Sequence, residues 1–104
     1  MKNKNIPGLF AELKNDSQIF LNYLKAKFPI FHNSNFFFRD FQYGLKSFLE
    51  KKGTTLTDNN LASLSKQFSE YYETAGIFVR TSSQGWKVNY PEFVTVKPGD
   101  PFSF

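Results

Sequence analysis

Apolar residues recur along this chain in two different periods. Helical spacing runs through Leu9, Phe10, Leu13, Phe20, Leu21, Leu24 and Phe28. Asn15, Asp16 and Ser17, three residues that favour helix starts, interrupt it. The pattern predicts a short turn and then a first main helix over about residues 17–28, with one continuous helix as the alternative. Pro29 stops it, because proline disfavours the helical conformation of the residue before it. A polar loop, His32-Asn33-Ser34-Asn35, and a short aromatic strand, Phe36-Phe37-Phe38, follow. The second helix carries Phe41, Leu45, Phe48 and Leu49 on one face and stops before Gly53. Asp40 in its first turn and Lys51 and Lys52 in its last complement the helix dipole. Gly44 inside it costs roughly 1 kcal/mol relative to alanine. Close approach of a neighbouring backbone would explain that glycine, and so would chance.

The third helical run is Leu61, Leu64, Phe68, Tyr72 and Ala75. Thr57 is its predicted N-cap. Leu56 before the cap and Leu61 at the fourth helical position have the spacing of a hydrophobic staple. Asp58 opens the helix with a charge that its dipole favours. Gly76 supplies the left-handed residue that closes it. The period then changes to two. Residues 77–81 read as a strand, Ser82-Ser83-Gln84-Gly85 as a turn and residues 86–90 as a second strand, with Trp86, Val88 and Tyr90 inward. Gly85 is expected at the positive-φ position of a four-residue loop. In the last 14 residues Pro91, Pro98, Gly99 and Pro101 alternate with Phe93, Val94, Val96, Phe102 and Phe104. Such a segment is expected to fold back over the hairpin and cover Phe78; a partner-binding arm is the alternative. The chain thus divides into a lead-in (1–16), a domain (17–90) and a tail (91–104), without repeats or low-complexity segments.

Composition adds limits. A chain of 104 residues suggests one domain. It exceeds the roughly 55–65 residues at which small domains fold without staples. Fourteen Phe, five Tyr and one Trp make up 19% of it. That excess either fills a core or marks a surface that a partner covers; the core reading comes first. No cysteine is present, which removes disulfides, thiolate metal sites and a Cys nucleophile and fits a reducing compartment. The basic start, Met1-Lys2-Asn3-Lys4-Asn5, is like that of a signal peptide, but Pro7, Gly8 and Glu12 break the apolar run behind it. No stretch approaches the ~18 apolar residues of a membrane span. A cytoplasmic location is expected. Thirteen Lys and Arg against nine Asp and Glu give a formal charge of +4, which mildly favours phosphate-bearing partners. Eleven of the 13 are lysine, a point charge, whereas arginine is the better fork for phosphate and guanine.

Catalytic constellations are missing from the sequence. His32 is the single histidine and reads as a surface or loop-packing residue. Carboxylates are scattered, apart from Glu70 and Glu73 on one helical face, a spacing more often solvated charge than a weak cation site. There is no phosphate-binding glycine loop, nucleophile elbow or Cys/His cluster. No enzymatic activity, cofactor, metal or small-molecule substrate is expected. In Tyr71-Tyr72 one ring is expected in the core and the other exposed or half-exposed.

The order helix, short strand, helix, helix, strand, turn, strand resembles the winged-helix superfold over residues 17–90. The junction Tyr72-Glu73-Thr74-Ala75-Gly76-Ile77-Phe78-Val79-Arg80 looks like the helix-to-wing step of such domains. The connection Gly53-Thr54-Thr55-Leu56-Thr57 is longer than a tight helix-turn-helix turn and is similar to that of the RNA-associated LOTUS-type variant. The resemblance implies an α+β fold with three main helices, a C-terminal hairpin and a short strand before the second helix. It also implies nucleic-acid binding, DNA or RNA, with the third helix in a groove and the wing on the backbone. Carried onto this chain, it points to Asn59, Ser63, Lys66 and Gln67 on the helix, and to Arg80, Ser82, Gln84 and Lys87 on the wing. Asn and Gln suit adenine, and Lys suits phosphate or guanine. Glu70 and Glu73, farther along the same helix, would repel phosphate. The alternative is a protein-interaction or structural module, including a homodimer, that uses aromatic surface from the first helix, residues 36–38 or the tail. Basic charge around the third helix would favour the first reading, an exposed Phe patch the second.

Overall fold

Four helices and three strands follow one another along the chain: α1 (Ile6–Asn15), α2 (Ser17–Lys27), β1 (Asn35–Phe37), α3 (Phe38–Lys51), α4 (Asp58–Thr74), β2 (Phe78–Ser82) and β3 (Gly85–Val88). The computed structural model describes residues 6–28 and 30–93. The fold is α+β, with the helices packed on a three-stranded antiparallel sheet of order β1-β3-β2.

The helix count differs from the expected three. Ahead of α2, where a turn is predicted, the chain forms the ten-residue α1 and buries Leu9 and Leu13. Pro7 is accommodated because it lies in the first turn, where its missing N–H has no intrahelical partner to lose. Asp16 separates α1 from α2 by a single residue. Its N–H donates to the Glu12 and Leu13 carbonyls, while its own carbonyl accepts from Phe20 N–H. Its carboxylate does not cap α2; it pairs with Lys52 Nζ at 2.9 Å. One continuous helix is therefore interrupted, and α1 turns back so that Phe10 meets Phe68 edge-on at 6.5 Å. α2 ends at Lys27; Pro29, the expected stop, lies outside the described residues.

Seven of the 12 described Phe are interior. Phe20, Phe36, Phe41, Phe48, Phe68, Phe78 and Phe93 are all buried. Phe41 stands at the centre, with the rings of Phe20, Phe78 and Trp86 at 5.5, 5.8 and 5.8 Å and steeply inclined. Such edge-on pairs add stabilisation beyond simple burial. Gly44 answers side chains, neither a backbone neighbour nor chance: a Cβ there would lie 2.6 Å from Leu24 Cδ2 and 3.2 Å from Phe28 Cε2. The missing methyl lets α3 close on α2.

The boundaries of α4 follow the sequence. Thr57 Oγ1 accepts from Asn60 N–H at 3.1 Å. At the other end Gly76 has φ of 82°. Gly76 N–H reaches the Glu73 carbonyl and Ile77 N–H the Tyr72 carbonyl, both at 3.0 Å, the two-bond closure of a Schellman end. Tyr72 is fully buried and Tyr71 half-buried, as the pattern predicts.

The hairpin departs from expectation in two ways. Its connection is Ser83-Gln84 alone, with a bulge in β2 between Arg80 and Ser82. Gly85 is not in the left-handed region; it is the buried first residue of β3, paired with Phe37. A Cβ on Gly85 would lie 2.9 Å from Phe37 Cδ1 and 3.3 Å from the Phe36 carbonyl oxygen, so the glycine makes room for a ring. Phe78 packs in the core, with Trp86 at 4.9 Å and Tyr72 at 5.1 Å, while the tail expected to cover it lies, beyond Phe93, outside the described residues. Phe38 opens α3 and is not part of the strand. Of the tail, Phe93 is buried, edge-on to Tyr90 at 4.7 Å. Val94, Val96, Pro98, Gly99, Pro101, Phe102 and Phe104 lie outside the described residues. Among those described, no helix is long and apolar enough to cross a membrane.

Candidate nucleic-acid interface

α4 buries Leu61, Leu64, Ser65, Phe68, Ser69 and Tyr72. The side that borders the hairpin encloses a depression of about 560 Å³. Lys66, Arg80 and Gln84, three of the predicted residues, line it together with Glu70 and Glu73. Both cations are already engaged. Lys66 Nζ pairs with Glu70 at 2.7 Å, an exposed i,i+4 pair. Arg80 Nη2 donates to Glu73 Oε2 at 2.5 Å, and Nη1 to the Ser82 and Ser83 carbonyls at 3.2 and 3.0 Å. The guanidinium also lies over the Trp86 ring, 5.8 Å from its centroid. Glu73 accepts from Trp86 Nε1 as well, so one carboxylate ties α4 to both hairpin strands.

The other predicted residues are dispersed. Asn59 and Ser63 are exposed on α4 and do not line the depression. Gln67 is half-buried, one helical step of about 100° round from Lys66. Ser82 is exposed, and its Oγ accepts from Gln84 N–H at 3.3 Å, which shapes the hairpin tip. Lys87 stands on the outer face of the sheet, in register with Asn35 and Val79.

A second depression, of about 860 Å³, lies along the outer side of α3 and shares Phe38 and Gln84 with the first. Phe37, Arg39, Tyr43 and Lys46 line it, with Asp40 and Asp58. Phe37 and Tyr43 are 52% and 59% exposed, among the most exposed large apolar side chains of the described residues. The side chains of Arg39, Lys46 and Lys87 form no hydrogen bond or ion pair with the described residues. Lys27 Nζ sits 5.7 Å from the Tyr43 ring centroid. Asp40 and Asp58 each occupy the first turn of a helix, where the dipole favours a negative charge.

Sequence reasoning missed Arg39, Tyr43 and Lys46. The signal was there: positions 39, 43 and 46 follow helical spacing on the face opposite Phe41, Leu45 and Phe48.

His32 packs the loop, its Nδ1 accepting from Tyr90 N–H at 3.0 Å. Tyr72 donates its hydroxyl to the Ser17 carbonyl at 2.8 Å, and burial pushes its ionisation far above the ordinary range. Among the described residues no three His, Asp or Glu side chains gather as a metal site. The chain matches no protein-family model, no curated protein and no solved structure.

Proposed function

We propose that this chain is a small, cytoplasmic, non-enzymatic module of winged-helix type that binds nucleic acid. α4 would be the helix and β2-β3 the wing of that architecture. The sheet order β1-β3-β2, with α3 and α4 inserted between β1 and β2, supports the resemblance. The observation that carries the reading is that Arg39 and Lys46, which border one depression, and Lys87 on the outer sheet face have no acid partner among the described residues. Arg39 and Lys46 border the depression that reaches the start of α4 and the hairpin tip. Free cations gathered at one edge attract phosphates and release condensed counterions on binding. The contacting surface therefore includes the N-terminal half of α3 in addition to Asn59, Ser63 and the hairpin.

Titration with duplex DNA, single-stranded RNA and structured RNA at low and moderate salt tests this. Binding that weakens as salt rises is the expected result. No salt-dependent binding at micromolar protein rejects it.

One observation favours a second reading, a protein-interaction surface or homodimer. Phe37 and Tyr43 are exposed in a groove that carries both signs of charge, Arg39 and Lys46 with Asp40 and Asp58. Light scattering separates the two: a monomer across the micromolar range counts against the dimer.

A further inference from the structure

The duplex geometry of a winged helix suits this molecule poorly. The side of α4 nearest the hairpin presents Glu70 and Glu73 beside its cations. A helix entering a major groove there would bring two carboxylates among phosphates and would have to break two ion pairs to free Lys66 and Arg80. The outer side of α3 has the opposite character, with exposed rings and unpaired cations.

We infer that the nucleic acid bound is single-stranded, with Phe37 and Tyr43 stacking on its bases and Arg39 and Lys46 taking its phosphates. This rests on the nucleic-acid reading above and names its ligand class and its binding residues. Single strands are held by aromatic platforms along a positively charged track, since every base offers a face to stack on and an unpaired strand can splay its bases outward. Both rings border one groove. Phe37 ends β1 ahead of α3, and from position 38 to position 43 the helix axis rises roughly 7.5 Å, so the rings are separate platforms and not one stacked pair.

Phe37 closes on Gly85, where any Cβ would displace it. Tyr43 stands next to Lys27, whose ammonium is free to move from the ring to a phosphate. Arg39 lies between the two rings in sequence, and Lys46 one helical turn beyond Tyr43. Lys87 extends the positive charge on the outer sheet face that Phe37 shares, as both alternate with the buried Phe36 and Trp86. Asp40 and Asp58 offset part of this charge. The salt dependence is therefore shallow: three phosphate contacts on a single strand give a slope near about −2 in log K against log salt.

The test is fluorescence anisotropy with a labelled single-stranded RNA, the same RNA carrying abasic positions, and a duplex of the same sequence. The intact single strand is expected to bind more tightly than either of the others. Phe37→Ala and Tyr43→Ala should each weaken it roughly 5- to 100-fold. Phe37→Tyr and Tyr43→Phe, which keep the rings, should stay within about twofold, and so should Lys66→Ala. The ring-preserving variants separate loss of stacking from loss of fold.

Equal or tighter binding of the duplex, unaffected by ring removal, overturns the single-strand assignment and leaves the nucleic-acid reading intact. No binding of any probe overturns both. A dimer in sedimentation that Tyr43→Ala dissociates also overturns the assignment, by giving the groove to a second copy of the chain.

Discussion

The two depressions on either side of Phe38 and Gln84 use the same kinds of side chain for opposite ends. Between α4 and the hairpin, Arg80 and Lys66 each have a carboxylate, and Arg80 also bonds two carbonyls. Along α3, Arg39 and Lys46 have no such partner, and two rings face solvent. The first arrangement fastens an element in place. The second leaves charge and apolar surface open to solvent. A cation's type and its place on a face do not decide its role; the acid within its reach does.

The contrast can be broken most severely at Glu73. Glu73→Ala leaves Trp86 Nε1 without its acceptor and frees Arg80, and should cost about 2 kcal/mol in denaturant unfolding. Glu70→Ala removes only an exposed pair and should cost about 0.5 kcal/mol or less. Equal losses would show that the α4-hairpin side is not fastened as described. Next in size, Gly85→Ala forces Phe37 off its seat and should cost about 1–2 kcal/mol. It should lower nucleic-acid affinity as well, because it displaces a ring of the open side.

Tyr72 anchors the same end of α4 to Ser17. Tyr72→Phe should cost about 1 kcal/mol at neutral pH. The sign of its pH dependence is fixed by burial. The ionisation lies above its ordinary value of 10.0 in the folded chain, so the native state holds the proton after the unfolded state has released it. Stability should therefore fall as pH rises past about 10, and less steeply in the Phe variant. An alkaline melting series of the two proteins checks this.

The smallest change belongs to the open side. Arg39→Ala and Lys46→Ala together should alter stability by about 0.5 kcal/mol or less, as surface substitutions do. The same double variant should flatten the salt slope of binding by about 1.4, or 0.7 for each lost phosphate contact. A double variant that unfolds readily would mean these cations are structural after all.

The elements that local chemistry governs could be read from the chain. Thr57, Leu56 and Leu61 announce the start of α4, Gly76 its end, and the alternation of Trp86 and Val88 the inward face of β3. What could not be read depends on partners distant in sequence. Gly85 looks like a turn residue because the ring it accommodates, Phe37, is far earlier in the chain. Phe78 looks uncovered because Phe36, Phe41 and Tyr72 come from three other elements. α1 is legible as period but not as helix, since its stability comes from packing on α4. At the candidate interface, Lys66 and Arg80 have the right residue types. The ion pairs that occupy them lie at separations of four and seven residues, and only the Lys66 pair follows helical spacing.

The bulge between Arg80 and Ser82 has one more consequence. Among the described residues, a sheet of order β1-β3-β2 leaves two outer strands with unpaired backbone groups, which invite another chain to add on. β1 spans three residues, too few to hold a guest strand firmly. β2 is longer, but the bulge bends its rim after Arg80 and breaks the regular ladder a visitor would need. The molecule thus carries its own guard against fibrous growth, and straightening β2 by deleting Thr81 would be the way to disarm it.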